Sequence, residues 1–192
     1  IPGYELIESV QRLDPGFRKS QRDNIIQVNL KAGFQPDMDL LTRHFYTTSS
    51  CGVCGKTSID LVQSLVDTRI APPEISTTPA LLAQLPEKLE AAQKEFSSTG
   101  AIHAACLFDL NGEVLALRED VGRHNALDKL IGFCLSQGQV PLDQHILLLS
   151  GRASFELLQK ASMAGIQIVA AVGAPSSLAV QLADEAHITL VG

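Results

Sequence analysis

Apolar and polar residues alternate over 24–30, where Ile26, Val28 and Leu30 are interleaved with Gln27 and Asn29. That period of two predicts a half-buried strand. The residues before it, with Pro2-Gly3 and Asp14-Pro15-Gly16, read as a lead-in punctuated by turns. After it, 33–39 reads as a loop, and 40–46 suits either a strand or a helix. A longer period begins at 57. Ile59, Val62, Leu65 and Val66 fall on one helical stripe, which closes before Pro72-Pro73. Thr78-Pro79 is an N-cap followed by proline at the first helical position. The segment it opens carries Leu85, Leu89, Ala92 and Phe96 on one side and ends at Gly100. Pro86 has no backbone N–H to donate, so this segment is either one bent helix or two.

The plainest local signal follows. Residues 101–109, then Asn111-Gly112, then 113–117 predict a β-hairpin closed by a type I′ turn. A polar stretch, Glu119-Asp120-Val121-Gly122-Arg123-His124-Asn125, runs into a helix with Leu127, Leu130, Ile131, Cys134 and Leu135 on one face. The last third alternates. Strands are predicted over 145–149, 166–172 and 188–191, with helices over 154–164 (ended by Gly165) and 176–186. Strand–helix–strand–helix–strand with short connections implies right-handed crossovers and a parallel sheet, an α/β fold.

At 192 residues, with 45% hydrophobic and 19% charged residues and a mean hydropathy of +0.14, the chain can bury a large core in one domain or two small ones. Seven Phe, two Tyr and no Trp make that core aliphatic and leave few platforms for stacking bases. A net charge of −6, with no basic cluster beyond Arg18-Lys19 and Arg22, argues against nucleic acid as a partner. No run approaches the ~20 apolar residues of a membrane span, and no signal peptide is visible. A chain opening on Ile1 rather than Met reads as a fragment. Four cysteines are too few for a secreted disulfide scaffold of this length, which points to a reducing cytoplasm.

Cys51 and Cys54 are the two close in sequence, in Thr47-Thr48-Ser49-Ser50-Cys51-Gly52-Val53-Cys54-Gly55-Lys56. The loop feeds the helical stripe that begins at 57. A helix N-terminus and the nearby Lys56 ammonium both favour the reactive thiolate. Half a zinc site, a disulfide and a thiol pair without a role compete with that reading. A zinc site needs three or four ligands. No second Cys-x-x-Cys or His-x-x-x-His follows, and no His-x-Glu precedes in the manner of a zinc deaminase, so no metal is expected. Cys-Gly-Val-Cys also suits a thioredoxin-like oxidoreductase, which leaves the long α/β remainder unexplained. Cys106 and Cys134, on apolar faces, are expected to be inert core thiols.

Ligands of a parallel sheet collect beyond the carboxyl ends of its strands. Two predicted loops lie there: Ser150-Gly151-Arg152-Ala153-Ser154 and Gly173-Ala174-Pro175-Ser176-Ser177. Each offers glycine, hydroxyls and a following helix N-terminus, suited to phosphate, and Arg152 adds a guanidinium fork. Simple capping by Ser154 and Ser176 is the plain alternative. Asp120, Arg123, His124 and Asn125 form a third cluster, either caps and surface ion pairs or a ligand-facing group. His44, His145 and His187 read as surface or strand-end residues, and His103 as a hydrogen-bonded core residue.

Four motifs occur in order: Ser49-Ser50-Cys51-Gly52-Val53-Cys54-Gly55-Lys56; Glu119-Asp120-Val121-Gly122-Arg123-His124-Asn125-Ala126-Leu127-Asp128-Lys129; Ser150-Gly151-Arg152; and Gly173-Ala174-Pro175-Ser176-Ser177-Leu178-Ala179. Together they closely resemble the formate dehydrogenase accessory sulfurtransferase family (FdhD/NarQ type), over nearly the whole chain. The resemblance implies a cytidine deaminase-like layered α/β/α sheet without its zinc, with the β-hairpin and a C-terminal parallel βαβαβ unit. Residues 1–75 would then be an N-terminal α/β region carrying the Cys-x-x-Cys loop, and 76–192 the deaminase-like domain. It also implies a homodimer that takes sulfane sulfur from a cysteine desulfurase. The sulfur passes to the molybdenum bis(molybdopterin guanine dinucleotide) cofactor of formate dehydrogenase, Cys51 carrying the persulfide and Cys54 its partner thiol. The residues expected to bind the cofactor are Arg123, His124, Asn125, Ser150, Gly151, Arg152, Gly173, Pro175 and Ser176, and the sheet topology assigns its phosphates to the loops near Arg152 and Ser176. Members of the family extend further at both ends, with an Arg/Gly-rich segment after the last strand. A thiol–disulfide oxidoreductase and a cofactor-binding chaperone with incidental cysteines are the alternatives.

Overall fold

The computed structural model describes residues 4–12, 26–35 and 75–192. The chain divides into two compact units, Ile1–Tyr46 and Thr47–Gly192. The expectations for 33–39 beyond residue 35, for 40–46, for the Cys51–Cys54 loop with its helix, for His44 and for a domain boundary at 75 lie wholly or partly outside the described residues.

In the first unit, a short 3-10 turn at Tyr4–Leu6 leads into β1 (Ile7–Arg12), which pairs antiparallel with β2 (Ile26–Leu30). Val10 faces Val28 across the ladder, and Asn29 Nδ2 donates to Ser9 Oγ at 2.8 Å. The alternation over 24–30 does form a strand, but its apolar side is not the buried one. Ile26, Val28 and Val10 stay about half exposed, at 53%, 49% and 60%. A ribbon of two strands has too little surface to bury a face of its own.

The second unit is built on a five-stranded sheet in the order β4-β3-β5-β6-β7. Its strands are β3 (His103–Phe108), β4 (Val114–Asp120), β5 (Ile146–Arg152), β6 (Ile168–Gly173) and β7 (Thr189–Val191). β3 pairs antiparallel with both β4 and β5, whereas β5, β6 and β7 run parallel. The predicted hairpin and βαβαβ unit thus share one mixed sheet, covered on both faces. Ala105, Leu107, Leu147, Leu149, Val169 and Ala171 face α4 (Arg123–Ser136), α5 (Phe155–Met163) and α6 (Ser177–Glu185). Cys106, Phe108, Ile146, Leu148, Ile168 and Ala170 face α2 (Leu85–Ala92), which supplies Leu85 and Leu89. Burial on both sides is why 146–149 and 168–171 read as unbroken apolar runs.

The segment before β3 divides more finely than Pro86 alone would divide it. α1 (Pro79–Leu82) is capped by Thr78, whose side chain accepts from Leu81 N–H. Pro86 sits in the first turn of α2, where its missing N–H costs nothing. A second break falls at extended Gln93, before α3 (Lys94–Thr99). Its cause is Glu119 at the end of β4, whose carboxylate accepts from the backbone N–H groups of Glu95 and Phe96, both at 3.0 Å, and so holds the start of α3. Gly100 ends α3 in the left-handed region.

The hairpin forms, but not with a type I′ turn. That turn needs positive φ at both central residues, and Gly112 has it (φ 79°) while Asn111 does not. The connection instead runs over 109–113, closed by Asp109 N–H to Glu113 O, with Gly112 N–H donating to Asp109 O inside it. Asp109 Oδ1 accepts from the N–H groups of Asn111 and Glu113, at 2.9 and 2.8 Å. The Asp109 side chain thereby makes the longer turn the better satisfied one. The contact with Glu113, first among these, holds the Asp109 carboxyl below its ordinary pKa.

Candidate functional site

The predicted loop 150–154 is mostly strand. β5 runs on through Ser150, Gly151 and Arg152, with an irregular register against β6 between Leu149 and Arg152. Ile146, Leu148 and Ser150 continue on the α2 side, and strict alternation would place Arg152 there too. The bulge turns Arg152 to the opposite face instead. Gly173 makes room for it. A Cβ there would lie 3.0 Å from Arg152 Cγ and 3.1 Å from its backbone N.

On that face Arg152 meets Arg123 from the first turn of α4 and the starts of α5 and α6 around a cavity of about 460 Å³. Ser154, Glu156, Pro175 and Ser176 complete the part of the wall that concerns chemistry. Arg123 Nε is buried without a hydrogen-bond partner among the described residues. Two guanidinium groups and two helix N-termini converge here, and the combination suits a phosphate or another oxyanion.

Arg123 and its neighbours are positioned by the acidic end of β4. Asp120 pairs with Lys129 and accepts from Gly122 N–H at 2.9 Å and Asn125 Nδ2 at 3.1 Å. Lys129, then Gly122 N–H, hold its pKa down at about 2. Burial works to raise the Glu119 pKa, but the N–H groups of Glu95 and Phe96 outweigh it and the net shift is downward. Asn125 therefore braces the loop and does not line the cavity.

The two helix starts differ. Ser176 caps α6, its side chain accepting from Ala179 N–H at 3.2 Å. Ser154 makes no such bond to α5. Its hydroxyl donates to Glu156 Oε2 at 3.1 Å and lies 3.3 Å from His124 Nε2. Plain capping describes Ser176 and fails for Ser154. His124 sits behind this wall, and burial, followed by the charge of Arg123, lowers its pKa from 6.5.

Ser150 and Gly151 belong to a different place. Ser150 Oγ accepts from Ala104 N–H at 2.8 Å. A Cβ at Gly151 would come within 3.2 Å of His103 Nδ1. His103, Ser150, Leu89, Phe96 and Val172 border a second cavity of about 540 Å³ on the α2 side. His103 is half-buried at this rim, not enclosed in the core as expected. The nine predicted cofactor residues thus separate. Arg123, Arg152, Pro175 and Ser176 line one cavity, with His124 behind it and Gly173 under Arg152. Ser150 and Gly151 shape the other side of the sheet edge, and Asn125 is hydrogen-bonded to Asp120. Glu156 was not foreseen. An acid two residues past an N-cap looks like an ordinary helix-start charge, and only its contacts with Ser154 and His124 show otherwise.

Cys106 and Cys134 are buried free thiols. Burial pushes Cys106 up to about 12 and raises Cys134 as well, as expected of core cysteines. No helix among the described residues is long and apolar enough to cross a membrane.

A mixed α/β sheet with an oxyanion-suited cavity at its parallel edge defines a class that known proteins narrow. The model of the FdhD/NarQ family matches residues 4–192, and the chain belongs to that family. It is 54% identical over 169 residues to the sulfur carrier protein FdhD of Mycolicibacterium paratuberculosis, a match covering 88% of this chain and 62% of that protein. It is 44% identical over 190 residues to the sulfur carrier protein FdhD of Picrophilus torridus, covering 98% of this chain and 71% of that protein. The chain thus spans less than two thirds of the first of these relatives. Among solved structures, it is similar to a protein from Desulfotalea psychrophila described as a formate dehydrogenase accessory protein. That match has TM-score 0.55 and 30% identity, covering 62% of this chain and 51% of the other.

Proposed function

We propose that this chain is the body of a cytoplasmic sulfur carrier that serves formate dehydrogenase through its molybdenum bis(molybdopterin guanine dinucleotide) cofactor. The observation that carries the reading is the cavity in which Arg123, Arg152 and two helix N-termini converge on one side of the sheet edge. Phosphates of a guanine dinucleotide match that donor set, and the cofactor is here the client, not a resident group. Cys51, as thiolate, attacks the terminal sulfur of a desulfurase persulfide. The donor cysteine leaves as thiolate, and Cys51 holds the sulfane sulfur. Attack of Cys54 on the inner sulfur then releases hydrosulfide, which the cofactor takes up, and leaves a Cys51–Cys54 disulfide, so the two electrons that reduce the sulfur come from the thiol pair. Names borne by relatives, sulfur carrier and formate dehydrogenase accessory protein, support the assignment.

Activation of formate dehydrogenase by purified carrier, desulfurase and cofactor tests it with Cys51→Ala and Cys54→Ala variants. Cys51→Ala is expected to abolish activation. Full activation by both variants would rule out the persulfide route and favour a chaperone that holds the cofactor without carrying sulfur.

A further inference from the structure

The Ser154 hydroxyl has a single proton, and it goes to Glu156. Toward His124 the same oxygen therefore accepts, which makes the neutral imidazole the Nε2–H tautomer and leaves Nδ1 as its basic atom. Glu156 Oε2 is 3.7 Å from His124 Nε2. Among the described residues, the other charges around the ring are Arg123 and Asp128 on α4 and Lys160 on α5, with Arg152 across the cavity wall at the end of β5. Asp128 is matched by Lys160 at 2.5 Å. The wall itself therefore sets two guanidinium groups against one carboxylate. Beside it stands the imidazole, the side-chain type that ordinarily titrates near neutrality.

Resting on the reading of this cavity as an oxyanion site, we propose that His124 couples anion binding to proton uptake. A phosphate diester seated against Arg123 and Arg152 is bound together with a proton on His124 Nδ1. The imidazolium then pairs with Glu156 and relieves the repulsion between that carboxylate and the phosphates. The balance is simple: the site with a neutral imidazole, one anion and one proton combine to give the anion complex of the imidazolium. Burial holds the ring below its ordinary value of 6.5 while the cavity is empty, so at neutral pH the site starts without the proton. An added anion favours the charged ring and raises its pKa. Affinity therefore increases as pH falls through the interval between the bound and free pKa values, and is flat above both. His124 is a positioning residue in this scheme, acting on the ligand through Glu156 and Ser154.

Calorimetric titration of the complete chain with diguanosine pyrophosphate tests this, because the diester phosphates keep a fixed charge across about pH 5 to 8, the range in which histidine titrates. Running the titration near pH 6 in buffers of different ionisation enthalpy reads proton uptake directly. Uptake of a substantial fraction of one proton is expected. Affinity should rise about threefold to tenfold between pH 8 and 5.5, the factor set by a pKa change of up to one unit. Both effects should be lost in His124→Gln and weakened, with tighter binding at high pH, in Glu156→Gln, which removes the carboxylate through which the ring acts. Binding without proton uptake, or uptake that persists in His124→Gln and disappears in Glu156→Gln, would overturn the assignment to His124 while leaving the anion site intact. No binding at any pH would remove the anion site and the coupling with it.

Discussion

At the scale of single residues, the acidic pair at the end of β4 does two separate jobs. Glu119 holds the start of α3, and Asp120 holds the turn that places Arg123. Asp120→Asn keeps the shape but loses the charge that Lys129 and Gly122 N–H meet. Hydrogen bonds to a charged group are worth about 1.5–3 kcal/mol each, so a loss of roughly 2 kcal/mol is expected in urea unfolding at pH 7. The sign of the pH dependence follows from the depressed pKa. The contribution is fully present above the ordinary value near 3.8 and disappears as pH falls through about 2. Unfolding curves of Asp120→Asn and the parent chain should therefore converge below pH 2. A gap that stays constant from pH 7 down would show that the charge is not what stabilises the turn.

At the scale of elements, the site depends on one strand irregularity and the glycine beside it. The bulge in β5 turns Arg152 over, and Gly173 leaves it space. Gly173→Ala puts a methyl 3.1 Å from the Arg152 backbone N, which cannot yield as a side-chain tip can. Overpacking of this kind costs about 1–3 kcal/mol. Oxyanion binding is expected to weaken about tenfold or more as Arg152 shifts, a change of the size that about 1.4 kcal/mol produces. Unaltered binding by Gly173→Ala would mean that Arg152 is not a ligand. The elements themselves were largely legible in the chain: the caps at Thr78 and Ser176, the hairpin and the final alternation all have local causes. The three departures have non-local causes or depend on a side chain reaching back to its own turn. Glu119 splits α3 from α2 across the sheet edge, and the bulge at 149–152 exists only as a register shift against β6. The Asp109 side chain chooses the longer hairpin turn. Periodicity carries none of these, and the motif residues divide between two cavities for the same reason.

At the scale of the whole unit, a sheet covered on both faces buries both described thiols. Cys106 lies under α2, and Cys134 lies in the core on the α4 face. Both have raised pKa values through burial, so neither supplies a thiolate near neutral pH. A Cys51→Ala/Cys54→Ala double variant is expected to give no rapid reaction with a thiol reagent until denaturant is added. Fast labelling of the folded double variant would show that a core cysteine competes for sulfur.

The proposed role of Cys51 as a persulfide carrier is tested most directly by the mass of the intact chain. After incubation with cysteine and a cysteine desulfurase, a gain of one sulfur atom is expected, removed by a reductant and absent from Cys51→Ala. No gain in the parent chain, or the same gain in Cys51→Ala, would contradict it.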